Sequence, residues 1–520
     1  MRPGRIAVVG SGFAGSILAR IARRLGHEVT LVERGRHPRF ALGESSTPLG
    51  NLALRRLGER YGLADLVELS SHGRWLAAHP GLRRGLKRGF TFFAHRPGRP
   101  FDPGAGNRNR LLVAASPNDE VADTHWLRAD VDAFLARRAS AEGVRLLEAT
   151  EVTAVERRSR GLRLLARGPA GESLDVVADL VVDASGAGGM LARSLPIAPR
   201  RPAPRPASGL VAAHFTGLAP FARTVPGGLE PGPYPDERAA VHHLLREGWV
   251  YVLPFDHGVA SVGWIRPHGR PGAPGATPEE RLRTLFARYA SLAEQFEAAR
   301  PATPFIVADR LQHRLARAAG RAWVLLPHAY AFFDPLFSTG IAWSLLGVER
   351  LARLLEEAPA GAAAIPPEGL DRYARLLSRE ADRIEALIAA AYAALERPEL
   401  LFSYSLLYFA AASWAEIRQR IEPEAGERAA WEGFLGVGDR VIDDLFARGG
   451  ERLERELAGE EGALSVWVPG AIAGRDLVGL ADSARRNLHP ADLEAVVERS
   501  ALLGRTRAEM RALGPRLLAV

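Results

Sequence analysis

RIAVVGSGFAGSILARIARRLGHEVTLVER, residues 5–34, decides the fold. IAVVG is a short apolar run of strand length, and EVTLVE is a second one. Between them, SILARIARRLG carries its apolar residues at helical spacing. Gly10, Gly12 and Gly15 write G-x-G-x-x-G across the strand-to-helix turn. In such a unit the first glycine permits the tight turn and the second lets the backbone approach a pyrophosphate. The third allows helix and strand to pack closely. The helix start offers N–H groups and a positive dipole end to phosphates, with Ala14 in that first turn. Glu33 ends the second strand, where a carboxylate accepts bonds from ribose hydroxyls, and Arg34 follows it as a further contact. The segment predicts an α/β fold built on a Rossmann-type dinucleotide-binding domain.

This unit alone does not choose between NAD and FAD. ADLVVDASGAGGMLARSL (178–195) adds a buried strand running into a glycine-rich turn, with Asp183 and Gly186 expected at the cofactor. No second complete G-x-G-x-x-G unit is present for a nicotinamide.

Composition narrows the chemistry. The chain has 520 residues, 47% hydrophobic and 25% charged, as expected of a globular protein with a large core. The formal charge of +8 comes from arginines scattered among Asp and Glu, which predicts a solvated basic surface and no nucleic-acid partner. There is no cysteine, so thiol nucleophiles, disulfides and cysteine-based zinc sites are excluded. Three methionines complete a sulfur-poor chain, a weak sign of an enzyme that handles a strong oxidant. No His, Asp and Glu cluster has metal-ligand spacing, and no P-loop or Gly-x-Ser-x-Gly elbow occurs. The longest apolar run, LLFSYSLLYFAAASW (400–414), is too short for a membrane span and predicts a buried or pocket-lining helix. No cationic segment followed by an apolar run opens the chain, so a cytoplasmic location is expected.

One residue breaks the arginine bias. Lys+Arg total 68, and Lys87, in GLRRGLKRGF (81–90), is the only lysine. A guanidinium stays protonated, whereas an amine can lose its proton and act as a nucleophile. Arg83, Arg84 and Arg88 are expected to disfavour its ammonium form if they lie close in space.

Over residues 5–350 the sequence resembles, motif by motif and in order, the flavin-dependent halogenases of the tryptophan-halogenase-like family. These belong to the larger FAD monooxygenase fold. GESSTP (43–48), with Glu44, Ser45 and Ser46, looks like the family's loop near the flavin. THWLRADVDAFL (124–135) looks like the helix whose arginine, here Arg128, supports the cofactor. EGWVYVLPF (247–255) stands where the family has Trp-x-Trp-x-Ile-Pro. FFDPLFSTGIAWSLLG (332–347) looks like the segment that opens a helix beside the isoalloxazine ring. The resemblance implies flavin contacts at Asp334, Gly340 and Ile341, and a halide site at Ser338, Thr339 and Gly340. It implies FAD, used as FADH2 from a separate flavin reductase, together with molecular oxygen (O2) and a halide ion. A flavin hydroperoxide then oxidises chloride or bromide to hypohalous acid, and Lys87, in the place of the family's essential lysine, delivers it to an aromatic ring.

Three departures shape the expected substrate. The aromatic signature reads Trp249-x-Tyr251-x-Leu253-Pro254. Phe337 replaces the glutamate that works with the lysine in tryptophan-specific members, so a phenolic or otherwise electron-rich aromatic is expected, free or tethered to a carrier protein. Phe90, Trp249, Phe337 and Tyr408 are the expected substrate-pocket residues, and Phe402, Tyr404, Phe409 and Trp414 are candidates to wall it. Pro327-His328-Ala329 replaces Gly-Asp-Ala, which is expected to loosen flavin binding; His328 reads as a satisfied structural histidine, with a replacement polar contact to the flavin as the alternative. The competing reading is an FAD monooxygenase or oxidase of the same fold that uses no halide.

The expected organisation is a discontinuous FAD-binding domain over 1–395, an antiparallel substrate sheet interleaved from about 81–109 and 201–304, and a helical region over 396–520. The Pro/Gly-rich turns PRRPAPRPASG, PGGLEPGPYP and RPHGRPGAPG punctuate the sheet. Oligomeric state is left open.

Overall fold

The computed structural model describes residues 4–187, 189–201, 206–358, 365–421, 430–460 and 463–518. Strand β1 (Arg5–Val9), helix α1 (Phe13–Arg24) and strand β2 (Glu28–Val32) form the unit that the glycine pattern predicts. β1 lies in the middle of a six-stranded sheet, pairing in parallel with β2 on one side and Leu180–Asp183 on the other. Covered on both faces, its core is the continuous apolar run Ile6–Val9 rather than an alternating pattern. Gly10 has φ +105°, and a Cβ there would stand 2.4 Å from the Ala184 carbonyl oxygen. A Cβ at Gly15 would stand 2.0 Å from the Gly10 oxygen. Two glycines therefore let the strand-to-helix turn close against the neighbouring strand.

A second sheet of nine strands carries the other half of the site. Its centre runs through Ser208–Thr216, Val259–Pro267, Gly248–Pro254 and Ala240–Leu245, then β4 (Gly89–Ala94) and β5 (Arg110–Ala114). Phe90 and Phe92 join the main core and Phe93 a second core behind the sheet, the period-two alternation of a strand buried on both faces. Two strands of this sheet come from unexpected places. β5 lies in a segment assigned to the flavin half, and Leu488–His489 pairs with it from the C-terminal region read as helical. Of the first Pro-rich turn, residues 202–205 lie outside the described residues.

Two short strands matter most for the site. β3 (Arg84–Lys87) pairs antiparallel with β6 (Asp123–Trp126), setting Lys87 opposite Asp123. Helix α2 (Pro48–Tyr61) packs beside the long helix Thr339–Glu357. That helix is tied to Pro367–Ala393 by a fully buried, bidentate Arg350–Glu380 pair at 2.6 and 2.7 Å. Arg20 makes a similar buried fork to Asp65 at 2.7 Å, and Arg110 one to Asp236. The expectation of a merely solvated arginine surface is therefore corrected. Several arginines are internal clamps, because a planar guanidinium matches a carboxylate with two parallel bonds. The apolar run 400–414 falls in Pro398–Ile421, the one described helix long and apolar enough to cross a membrane by length and composition; 72% of its apolar window is buried inside the protein.

Candidate active site

A cavity of about 450 Å³ opens where the α1 N-terminus, residues 39–45 and residues 326–344 meet. Gly12, Ala14 and Gly15 line it from α1, Ala184, Ser185 and Gly186 from the second Gly-rich turn, and Gly340 and Ile341 from the long helix. Gly12 leaves room there: an added Cβ would stand 3.4 Å from an Arg128 nitrogen. Arg128 forks onto Asp132 at 2.8 and 2.9 Å and donates to the Leu42 and Gly43 carbonyls, so it pins the loop that leads to Glu44. The Phe13 N–H at the start of α1 donates to Asp132 at 3.0 Å.

Glu33 follows β2 and does not line the cavity. Its carboxylate accepts from the Ser11 N–H and hydroxyl at 3.0 Å, the Gly35 N–H at 2.8 Å and Arg39 at 3.1 Å. Burial opposes its ionisation, but Arg39 and the two N–H groups outweigh burial and hold the carboxyl below its ordinary range. Arg34 is exposed and does not line the cavity; Arg39 does. Asp183 also turns inward, accepting from the Ser185 N–H and hydroxyl and from the Leu191 N–H at 2.7 Å. It shapes the turn that presents Gly186 and does not itself line the cavity.

The Ser-Thr-Gly segment starts its helix in a strained way. Ser338 sits at φ +50°, ψ 32°, the left-handed region that non-glycine residues rarely occupy. Its N–H donates to the Pro335 carbonyl and its hydroxyl to Ser45 at 3.1 Å, so that N–H is not available to an anion. Thr339, Gly340 and Ile341 form the first turn, whose N–H groups have no intrahelical acceptor. Thr339 is buried and lies outside the cavity lining, whereas Ser338 and Gly340 are in it. Asp334, also lining, accepts from the Leu336 N–H and from the Tyr392 hydroxyl, which in turn accepts from Trp249 Nε1. Burial pushes the Asp334 carboxyl up to about 7. The His328 Nε2 is buried without a partner, and a Cβ on Gly340 would stand 2.7 Å from it. His328 is therefore not the satisfied structural histidine expected; burial holds its ring neutral.

Trp249 lines this larger cavity rather than a separate substrate pocket, because its strand crosses beside His242 and Tyr251. The room at Gly12, the helix start and the orphaned His328 nitrogen suit a large, polar, anionic cofactor, so the residues present fit FAD. Among the described residues no group of three His, Asp or Glu could hold a metal ion.

A smaller cavity of about 120 Å³ lies on the other side of residues 44–48. Glu44 and Ser45 face the larger cavity, Thr47 and Pro48 the smaller one. Glu44 is held by His214 at 3.0 Å. The smaller cavity is walled by Leu49, Phe90, Val113, Tyr408 and Phe409, with Glu416 and Arg420 at a polar end. Phe337 is fully buried behind Tyr408, ring to ring at 4.6 Å, and its carbonyl accepts the Tyr408 hydroxyl at 2.8 Å. Phe337 thus supports the wall from behind. Of the other aromatic candidates, Phe402 packs on Phe92, Trp414 lies under Arg475, and Tyr404 is buried away from the cavity.

Lys87 lies in the partition itself. It is fully buried and lines neither cavity. Its Nζ donates to the Ser46 carbonyl and sits 4.1 Å from the centre of the Phe90 ring, which walls the smaller cavity. Burial lowers its pKa and nearby Asp123 opposes that shift. The neighbouring arginines, expected to do this, are engaged elsewhere: Arg83 near Asp130, Arg84 with Asp256, and Arg88 with Asp119 at 2.7 Å.

Sequence reading missed Arg39, Asn51 and Asp123. No local spacing marks them; Asp123 meets Lys87 only through a strand pairing that spans 36 residues.

A family model described as FAD dependent oxidoreductase matches residues 5–300. The chain is 30% identical to tetracycline 7-halogenase of Kitasatospora aureofaciens over 350 residues, covering 66% of this chain and 61% of that protein. It is 26% identical to the monodechloroaminopyrrolnitrin halogenase PrnC of Pseudomonas fluorescens, covering 75% and 68%. Among solved structures, halogenase PltM in complex with phloroglucinol and FAD superposes with a TM-score of 0.84 at 20% identity, over 93% of this chain and 99% of that one. The flavin-dependent brominase Bmp2 superposes with a TM-score of 0.61 at 18% identity, over 88% and 100%. The chain belongs to the FAD-dependent oxidoreductases, and the curated relatives it resembles are halogenases.

Proposed function

We propose that this chain is an FADH2-dependent halogenase that transfers chloride or bromide, as an electrophile, to a phenolic or other electron-rich single-ring aromatic. The observation that carries this reading is the place of the only lysine, in the partition between a cavity fitted to FAD and a small aromatic-walled cavity. Reduced FAD in the larger cavity, with O2 and halide, supplies hypohalous acid. The chain's own residues do the rest. The first turn at Thr339–Ile341 holds the halide with its N–H groups and positive dipole end. The neutral His328 beside Gly340 adds a polar contact without adding charge. Residues 44–48 keep bulk water from crossing between the cavities. The Lys87 amine meets the hypohalous acid at the partition and holds the halogen beside the Phe90 face. Phe90, Tyr408 and Phe409 orient the substrate ring, and a cavity of about 120 Å³ suits one ring better than several. Phe337 leaves that helix start without a carboxylate, which favours rings that need little activation. The sequence has no second complete G-x-G-x-x-G unit for a nicotinamide, so a separate flavin reductase is the proposed partner.

The test supplies FAD, a flavin reductase, oxygen and chloride or bromide, and screens phenols, pyrroles and indoles by mass spectrometry for the halogen isotope pattern. Lys87→Met should lower halogenated product by about 10³-fold while reduced flavin is still oxidised. If Lys87→Met halogenates like the parent, the role given to the amine is wrong. One observation favours a second reading, a monooxygenase without halide: Lys87 touches neither cavity surface. An oxygenated, halogen-free product in the same screen would select it.

A further inference from the structure

Lys87 and Asp123 face each other across the β3–β6 pairing, 0% and 2% exposed. Neither is satisfied as an ion. An ammonium has three donors, and Lys87 has one oxygen acceptor, the Ser46 carbonyl, besides the Phe90 face. Asp123 Oδ1 accepts from Asn51 Nδ2 at 2.9 Å, and Oδ2 has no partner. No ion pair within 4.0 Å joins the two, although Arg20, Arg110 and Arg350 all form close forks in the same core. A buried ion pair is stable only when its geometry is excellent and its remaining donors and lone pairs are filled. Here they are not, so burial lowers the Lys87 pKa and raises that of Asp123, each toward its neutral form.

The frame around them is tied by hydrogen bonds. The Ser46 hydroxyl donates to Asn51 Oδ1 at 2.6 Å, and Asn51 passes on to Asp123, so the segment that holds the Lys87 amine also holds the carboxylate. The other titratable groups facing the pair are His125 on β6, His242 on Ala240–Leu245, and Tyr408, Glu416 and Arg420 on Pro398–Ile421. Burial keeps both histidines neutral and the tyrosine protonated, and Glu416 and Arg420 bond to each other.

We propose that Asp123 is the proton partner of Lys87: the two side chains hold one proton between them, and Asp123 takes it whenever Lys87 must present a free amine. One N–H bond at Nζ breaks and one O–H bond at Oδ2 forms, through a single water where the groups do not touch. The charge of the partition is zero before and after, so no proton need leave for solvent. Asp123 acts through Lys87 and is a positioning residue. Its catalytic consequence rests on the halogenase reading; the proton sharing does not.

The single lysine makes the test direct. Lysine labelled with carbon-13 at Cε gives one side-chain signal in the full-length FAD-bound protein, and its shift follows the protonation of Nζ. The parent should titrate in two steps, one for each member of a coupled pair, and Asp123→Asn in one. Asp123→Glu, which keeps the carboxylate, should retain two steps at shifted positions and guards against a poorly folding Asn variant. Superimposable curves for the parent and Asp123→Asn would overturn the proposal. In turnover, Asp123→Asn should lower kcat on the order of 10²-fold, with KM for the aromatic nearly unchanged and an altered pH profile. If the parent incorporates no halide, the halogenase reading fails, and the titration alone still decides the proton partnership.

Discussion

Two buried acid–base pairs share the interior of this protein and are built in opposite ways. Arg350 and Glu380 are joined by two parallel bonds, and Trp343 Nε1 at 2.9 Å and the Phe434 N–H at 2.7 Å fill the remaining carboxylate positions. The guanidinium also donates to the carbonyls of Ala430 and Glu432. Lys87 and Asp123 are equally buried but leave an oxygen and amine donors unfilled. The closed pair joins the Ser-Thr-Gly helix to Pro367–Ala393 and to the segment around Phe434. The open pair keeps a proton available where the two cavities meet. Full satisfaction suits a clamp, and incomplete satisfaction suits chemistry.

The sharpest way to break this comparison is to cut both pairs. Arg350→Ala strands the Glu380 carboxylate and should cost about 3–5 kcal/mol, read from urea unfolding followed by tryptophan fluorescence. Lys87→Met combined with Asp123→Asn removes both charges of the open pair. That double variant should be as stable as the parent or more stable by about 1–4 kcal/mol, while losing halogenation. If it is destabilised as far as Arg350→Ala, the open pair is a structural clamp after all and the contrast fails.

The difference between the pairs also marks what the sequence can carry. The glycine turn, the two strands around it and the helix start at Thr339 are legible because neighbouring residues write them. The lone amine is legible because arginine fills every other basic position. Asp123 is not legible: its partner is set by the register of two strands with a sheet segment and a loop between them. Asp183 and Glu33 stand where their motifs put them, yet they spend their oxygens on nearby N–H groups. A motif fixes where a carboxylate sits, and only the fold fixes which way its lone pairs point. The orphaned His328 nitrogen is a further case, since a histidine in sequence says nothing of its partners.

A middle-sized effect should come from Asp334, which belongs with the open pair by its burial and with the closed one by its bonds. Its carboxyl is pushed up to about 7 by burial, from an ordinary value of 3.8. Between those values the folded protein binds a proton that the unfolded chain has released. Stability from this group is therefore full below the lower value and is lost as pH rises through the window. Relative to Asp334→Asn, the parent should lose a few kcal/mol between about pH 4 and pH 7, measured as urea midpoints at fixed FAD. Parallel curves would mean that Tyr392 and the Leu336 N–H hold Asp334 ionised, and would move it to the closed class.

The smallest effect separates two arginines that look alike in sequence. Arg34 directly follows Glu33 but is exposed, whereas Arg39 reaches Glu33 at 3.1 Å and lines the larger cavity. Arg39 is 29% exposed, so water screens its pair and the pair is worth no more than about 1 kcal/mol. Arg39→Ala should weaken FAD binding by up to about fivefold, read by flavin fluorescence quenching, and Arg34→Ala should leave it unchanged. The two variants should also differ in acid. Glu33 titrates below its ordinary range in the folded protein, so its contribution is complete above the unfolded value of 4.5 and fades as pH falls through the folded one. Without Arg39 that folded value rises, and FAD should dissociate at a less acidic pH than from the parent or Arg34→Ala. Equal losses from both arginine variants would mean that charge near the loop matters and the Arg39–Glu33 contact does not.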